Sequence, residues 1–142
     1  CLTERRIPGG SPLIELAATD GGGFPRNGLV QKLLPFYRLG YLSLKEIVEK
    51  CSVNPAETFG LHQKGNLGIG ADADITVLDM KRLDAAMSFA GGKRIMDHGR
   101  VTGSGGTFLT TKAGVKTAQE MQLNYQIADT QRSALYGERT AK

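Results

Sequence analysis

The side chains that could do chemistry are few and mostly fall in the first 27 residues. Cys1 joins a thiol to its own α-amine, a nucleophile with a built-in base whose ordinary pKa lies near 8. Asp20 ends the short apolar run LIELAATD and precedes Gly21, Gly22 and Gly23; a carboxylate in that place can at the least cap the following turn. Backbone N–H groups of such glycines can cradle a phosphate, but the chain does not continue as a P-loop or a dinucleotide fingerprint. Phe24, Arg26 and Asn27 follow. The Arg26 guanidinium has the shape to hold a carboxylate through two parallel hydrogen bonds, and is equally at home as a solvated loop residue. His62 lies in a turn and His98 at a hairpin tip, positions where an imidazole is more often a surface group than a metal ligand. Asp72 and Asp74 precede a strand and should close its turn by accepting backbone N–H bonds.

These groups need elements to position them. Residues 13–20 suit a strand buried on both faces, as in a parallel sheet. LVQKLLPFYRLG begins as a helix that Pro35 should break or kink. SLKEIVEKC is a clearer helix. Ser43 can cap it, Glu46 sits at the reciprocal capping-box spacing, and Leu44, Ile47, Val48 and Cys51 share one face. Cys51 is therefore expected to be a small packing residue, not a reactive thiol. A second helix should start at NPAE, with Asn54 as cap, Pro55 where its missing N–H costs nothing, and Gly60 as the stop. From Leu61 the pattern turns to β: a strand over residues 75–78, two short strands around Asp97-His98-Gly99, and one more in GTFLTT. The tail returns to helix, with Thr117 and Glu120 at capping-box spacing and Ala118, Met121, Tyr125 and Ala128 as a modest stripe.

Composition narrows the function classes. With 40% hydrophobic and 23% charged residues in 142, the chain reads as one folded domain and not as a disordered one. A net charge of +4, with basic residues scattered in pairs, argues against a nucleic-acid partner. No apolar stretch nears the roughly 20 residues that cross a bilayer, so no membrane partner is expected. Two cysteines are too few for a disulfide framework and favour a reducing, cytoplasmic setting.

Four stretches in order, ATDGGG, GYLSLKEIVEKCSVNPAETFGL, KGNLGIGADADITVLD and IMDHGRVTG, resemble the C-terminal part of the amidohydrolase superfamily. The most similar branch holds dihydroorotases, hydantoinases and dihydropyrimidinases, with D-aminoacylases and isoaspartyl dipeptidases more distant. The resemblance covers about residues 13–101, and the middle two stretches carry its specificity. It implies a (β/α)8 barrel whose last strand closes on an aspartate, plus a small β-sandwich built from both ends of the full chain. It also implies one or two divalent metals, usually zinc, at the barrel mouth. The implied ligands are a His-x-His pair, often a carboxylated lysine, two further histidines and the closing aspartate. That aspartate takes a proton from the attacking water and passes it to the leaving nitrogen.

By this resemblance Asp20 is the metal-side proton shuttle, and general physics concurs, since barrel enzymes place reacting groups at the C-terminal ends of strands. Gly21, Gly22, Phe24, Arg26 and Asn27 fall on the implied substrate-binding mouth loop, the glycines packing backbone closely around the metal. Gly21 stands where the dihydroorotase pattern has a histidine, a departure that counts against that substrate class. Nothing in the chain resembles the His-x-His, lysine or histidine strands, His62 and His98 match no family ligand, and a barrel needs about 250 residues.

The expected fold is therefore α/β. Residues 1–60 form the final strand and helices of the barrel, 61–111 the C-terminal strands of the sandwich and 112–142 a helical packing arm. A solitary barrel strand would leave edges and apolar faces bare, so the N-terminal chain of the same enzyme is the expected partner, with the paired chains forming a homo-oligomer. Cys1 as first residue fits a cleavage product. The expected activity is hydrolysis of an amide C–N bond in a small cyclic amide, imide or N-acyl amino acid, only with that partner. Two other readings stand beside it. One is a non-catalytic interaction module derived from such an enzyme. The other is a hydrolase with Cys1 as nucleophile, against which the loop-like LTERRIPGGSP counts.

Overall fold

The computed structural model describes residues 16–18, 28–103 and 106–133. Helix α1 (Leu29–Arg38) continues through Pro35, so the proline does not break it. Leu33 and Leu34 bury one side of it, while Pro35 and Gln31 lie exposed. The carbonyl that Pro35 cannot serve thus belongs to a residue on the wet side. Downstream the ladder resumes, Leu39 N–H donating to the Pro35 carbonyl at 3.0 Å.

Helix α2 (Leu44–Val48) starts on the anticipated capping box: Ser43 N–H donates to Glu46 Oε2 at 2.7 Å, and Glu46 N–H to Ser43 Oγ at 3.2 Å. Ile47 joins Leu33, Leu34 and Leu42 in the buried cluster, with Leu44 and Cys51 packed against it. Val48, expected on the same face, is 45% exposed. Nor does a new helix begin at Asn54. A π-helical turn (Glu49–Val53) joins α2 directly to α3 (Asn54–Thr58), and Asn54 has helical dihedrals instead of a cap's. The path ends in a Schellman motif, Gly60 N–H donating to Glu57 O and Leu61 N–H to Ala56 O. Gly60 has φ +67°, and a Cβ there would strike the Asp129 carbonyl, so glycine is doubly required.

Strands β1 (Ile75–Asp79), β2 (Asp84–Ala90), β3 (Lys93–Asp97) and β4 (Arg100–Val101) form an antiparallel meander in that order. Gly91-Gly92 and His98-Gly99 make its two tight turns. All four residues have positive φ, which matches the right-handed twist of the strands. The expected hairpin around Asp97-His98-Gly99 is thus present. Strand β2 was not anticipated: Asp84, Ala85 and Ala86 have little β propensity, and pairing on both edges sets the strand instead. Leu78, Met80 and Leu83 reach back to the helical core, and Gln31 Nε2 donates to Asp84 Oδ1 at 2.6 Å, so helices and sheet share one interior.

The segment GTFLTT does form a strand, β5 (Phe108–Thr110), but it pairs in parallel with β6 (Tyr125–Ile127) and not with the meander. Between them, a 3-10 turn (Lys112–Gly114) leads into α4 (Val115–Glu120). Thr117 therefore sits inside the helix and caps nothing. The helix stops at Glu120, and Gln122 takes φ +53°, so the expected helical stripe is interrupted although Ala118 and Ala128 are both buried.

Candidate functional site

Cys1, Asp20, Gly21, Gly22, Phe24, Arg26 and Asn27 all lie outside the described residues. What the structure shows is the scaffold on either side of them. Of the expected strand over residues 13–20, Leu16, Ala17 and Ala18 are described. Ala17 is half-buried against the helical cluster, whereas Leu16, at 38%, and Ala18 are exposed. These three residues belong to no strand or helix, and the exposure of Leu16 and Ala18 departs from the strand buried on both faces that was expected. Ala17 N–H finds its acceptor on the helix: it donates to the Lys50 carbonyl at 3.3 Å.

That carbonyl is accessible for a reason legible in the chain. In an α-helix, Lys50 C=O would accept from Asn54 N–H. Here Asn54 N–H reaches one residue further back, to Glu49 O, closing the π turn. The next residue, Pro55, has no N–H to offer. The Lys50 carbonyl accepts from Ala17 N–H. The Lys50 side chain is itself buried, at 3% exposure.

Beside this turn, a groove of about 630 Å3 separates the helical path from β1. Ile47, Cys51, Phe59, Leu67, Ile75 and Phe89 make its walls mainly apolar. Burial pushes the Cys51 thiol up, only partly countered by the charge of Lys50, which keeps the sulfur protonated and inert as expected. At the groove's rim Lys64 Nζ lies 2.5 Å from Asp74 Oδ2 and 2.9 Å from Asp72 Oδ2. Asp74 Oδ1 also accepts Gly91 N–H at 2.8 Å, tying the loop to the β2–β3 turn. The lysine, with help from that backbone donor, holds the Asp74 carboxyl below the usual carboxylate range; the two aspartates, Asp74 foremost, raise the lysine. Asp74 thus accepts a backbone N–H from Gly91 in the β2–β3 turn, not from its own turn as expected, and the Asp72 carboxylate binds Lys64. Sequence reasoning missed Lys64, although a turn lysine followed by two acids one apart was signal enough for a clasp.

His62 Nε2 lies 3.8 Å from Asp129 Oδ2, and His98 Nδ1 lies 2.6 Å from Asp97 Oδ1. Each imidazole is thus paired with a single carboxylate at the surface. Among the described residues no group of three or more His, Cys, Asp or Glu side chains is placed to hold a metal ion. No helix among them is long and apolar enough to cross a membrane.

Comparison with known proteins places this scaffold. Residues 18–106, more than half of the chain, match the amidohydrolase family, and the chain belongs to it. It is 45% identical over 53 residues to the dihydroorotase of Pyrococcus furiosus, covering 37% of this chain and 13% of that protein. The dihydroorotase of Archaeoglobus fulgidus is 36% identical over 75 residues, covering 50% and 18% respectively. That of Methanothermobacter thermautotrophicus is 42% identical over 60 residues, covering 42% and 14%. Among solved structures, the beta-aspartyl dipeptidase of Fervidobacterium islandicum AW-1, in complex with the beta-Asp-Leu dipeptide, aligns with a TM-score of 0.48 and 23% identity, over 63% of this chain and 24% of that one. The chain spans less than a fifth of the length of these dihydroorotases.

Proposed function

We propose that the chain is the C-terminal section of a metal-dependent amidohydrolase that cleaves an amide C–N bond in a cyclic amide, an imide or an N-acyl amino acid. The observation that carries this reading is the family match over residues 18–106, which begins two positions before Asp20. In this reading residues 1–60 supply the last strand and helices of a (β/α)8 barrel, 61–111 part of a β-sandwich, and 112–142 a packing arm. The remaining barrel comes from the enzyme's N-terminal polypeptide, and the assembled units form a homo-oligomer in the cytoplasm.

Asp20 is the carboxylate that accepts a proton from the attacking water and returns it to the leaving nitrogen, general acid–base work worth about 10²–10⁴ in rate. A divalent ion, zinc by the resemblance, would lower the pKa of that water to roughly 7. In this reading its remaining ligands come from the N-terminal polypeptide. Arg26, with Phe24 and Asn27, holds the substrate, a bidentate guanidinium suiting a substrate carboxylate. Gly21 and Gly22 let backbone approach the reacting bond closely. Gly21, in place of a histidine, favours an amide other than dihydroorotate.

The test is amide hydrolysis by the assembled, zinc-loaded enzyme. Asp20→Asn keeps the shape and removes the proton acceptor, so the rate should fall by at least about 10²-fold. Full activity in that variant would overturn the assignment.

A further inference from the structure

The family match ends at residue 106, and the chain beyond it returns to the family portion at the end of α3. Backbone donors serve three carbonyls of that helix: Phe59 N–H bonds Pro55 O, Leu61 N–H bonds Ala56 O and Gly60 N–H bonds Glu57 O. The Thr58 carbonyl instead accepts from the Ser133 hydroxyl, 75 residues further on. Ser133 is 1% exposed. Gly60 lets the Asp129 carbonyl sit where a Cβ would be, and the Asp129 carboxylate faces His62. We propose that residues 128–133 are a strap that governs the groove between the helical path and β1: by holding the end of α3, they fix the groove wall that follows it.

The strap is anchored at both ends. Ala128 N–H donates to Thr110 O at 2.8 Å, which ties it to β5, and Ala128 itself is buried. Asp129 Oδ1 accepts Gln131 N–H at 3.1 Å and Arg132 N–H at 3.3 Å, folding the turn that brings Ser133 back to Thr58. On the other side, Phe59, Leu61, Lys64 and Leu67 line the groove opposite β1, and Cys51 lines it too. Helix ends hold their shape only where the orphan carbonyls find donors. A buried carbonyl stripped of its donor favours opening of the turn that carries it, and here that turn is the start of the wall. The strap acts on this groove whichever reaction the assembled enzyme performs.

Ser133→Ala removes the donor and adds no atom. In the full chain, hydrogen exchange of peptides covering residues 57–66 should accelerate about fivefold or more, while peptides from β2 and β3 keep their rates. Alkylation of Cys51 by iodoacetamide at pH 8, read by peptide mass spectrometry, should rise by a similar factor, because the thiol lines the groove. Asp129→Ala, which unmakes the turn presenting Ser133, should act in the same direction. Gly40→Ala is the control for general loosening: it strains the backbone at φ +77° with nothing within 4 Å of the new Cβ. Local opening is independent of such a change, so both rates should stay within about twofold of the unsubstituted chain. Equal acceleration in Ser133→Ala and Gly40→Ala would mean opening by global unfolding and would overturn the strap, as would unchanged rates in both strap variants. Faster exchange over residues 57–66 with unchanged Cys51 alkylation would leave a helix cap without influence on the groove, which also overturns the proposal.

Discussion

Gly65→Ala isolates the contact that seats the Lys64 loop against the π turn. Gly65 has φ +74°, and an added Cβ would lie 2.6 Å from the Ser52 carbonyl oxygen and 2.7 Å from the Ala56 Cβ. Two penalties are expected. The left-handed backbone costs an L-residue about 1–2 kcal/mol. The collision cannot be relieved by rotating a flexible side chain, because its partners are a helix carbonyl and a methyl fixed to the helix, so overpacking adds about 1–3 kcal/mol. Gly40 supplies the control. It has nearly the same φ, +77°, with nothing within 4 Å of an added Cβ, so Gly40→Ala should cost only the backbone part. Urea unfolding followed by circular dichroism should show Gly65→Ala destabilised by about 2–5 kcal/mol and Gly40→Ala by about 1–2. Equal losses in the two variants, within about 0.5 kcal/mol, would mean that the close approach contributes nothing.

The Lys64 clasp gives a pH signature with two limbs. Asp74 is depressed in the folded chain, so its contribution is complete above the ordinary carboxylate range and fades as pH falls through the lowered value. Lys64 is raised, so its contribution is complete below the ordinary lysine range and fades as pH climbs through the raised value. Both groups reach solvent, and screening holds the total near about 1 kcal/mol; Lys64→Met should remove that at pH 7 and flatten both limbs of a stability–pH curve, and an unaltered curve would refute the clasp. For Cys51, whose thiol burial raises, iodoacetamide at pH 8 should alkylate the folded chain at least about tenfold more slowly than the urea-unfolded chain, as read by peptide mass spectrometry. Equal rates would show an open, reactive thiol.

What the amino-acid pattern revealed was local and what it concealed was relational. The Ser43–Glu46 capping box and the His98-Gly99 turn follow from adjacent residues, and both appear as read. Pro35 and Pro55 were read as punctuation because a proline lacks an N–H, which is correct chemistry. Whether that interrupts a helix depends on where the unserved carbonyl points. For Pro35 it belongs to a residue on the exposed side, and the helix continues. For Pro55 a widened turn absorbs the defect, and the helix continues again. Strand β2 was hidden since partners on both edges, not its own residues, hold it extended. Asp20 was named from motif context and lies outside the described residues, while the bond from Ala17 to Lys50 joins residues 33 apart and has no local signal.

The motif's least reactive residues converge in space. Pro55 follows the turn whose Lys50 carbonyl accepts from Ala17, Gly60 donates to the Glu57 carbonyl in the Schellman motif, and Gly65 lies where a methyl would collide with Ser52 and Ala56. All of these contacts fall on the helical path between Lys50 and Glu57, although in the chain the three residues look like unrelated turn formers. A missing donor, a left-handed terminus and a missing Cβ are each defects in isolation. Gathered on one stretch of helix they let neighbouring segments approach its backbone closely. The ordered series Asn-Pro-Ala, Gly-Leu, Lys-Gly is then informative without containing a reactive group, because it specifies where backbone must be open and where it must be tight.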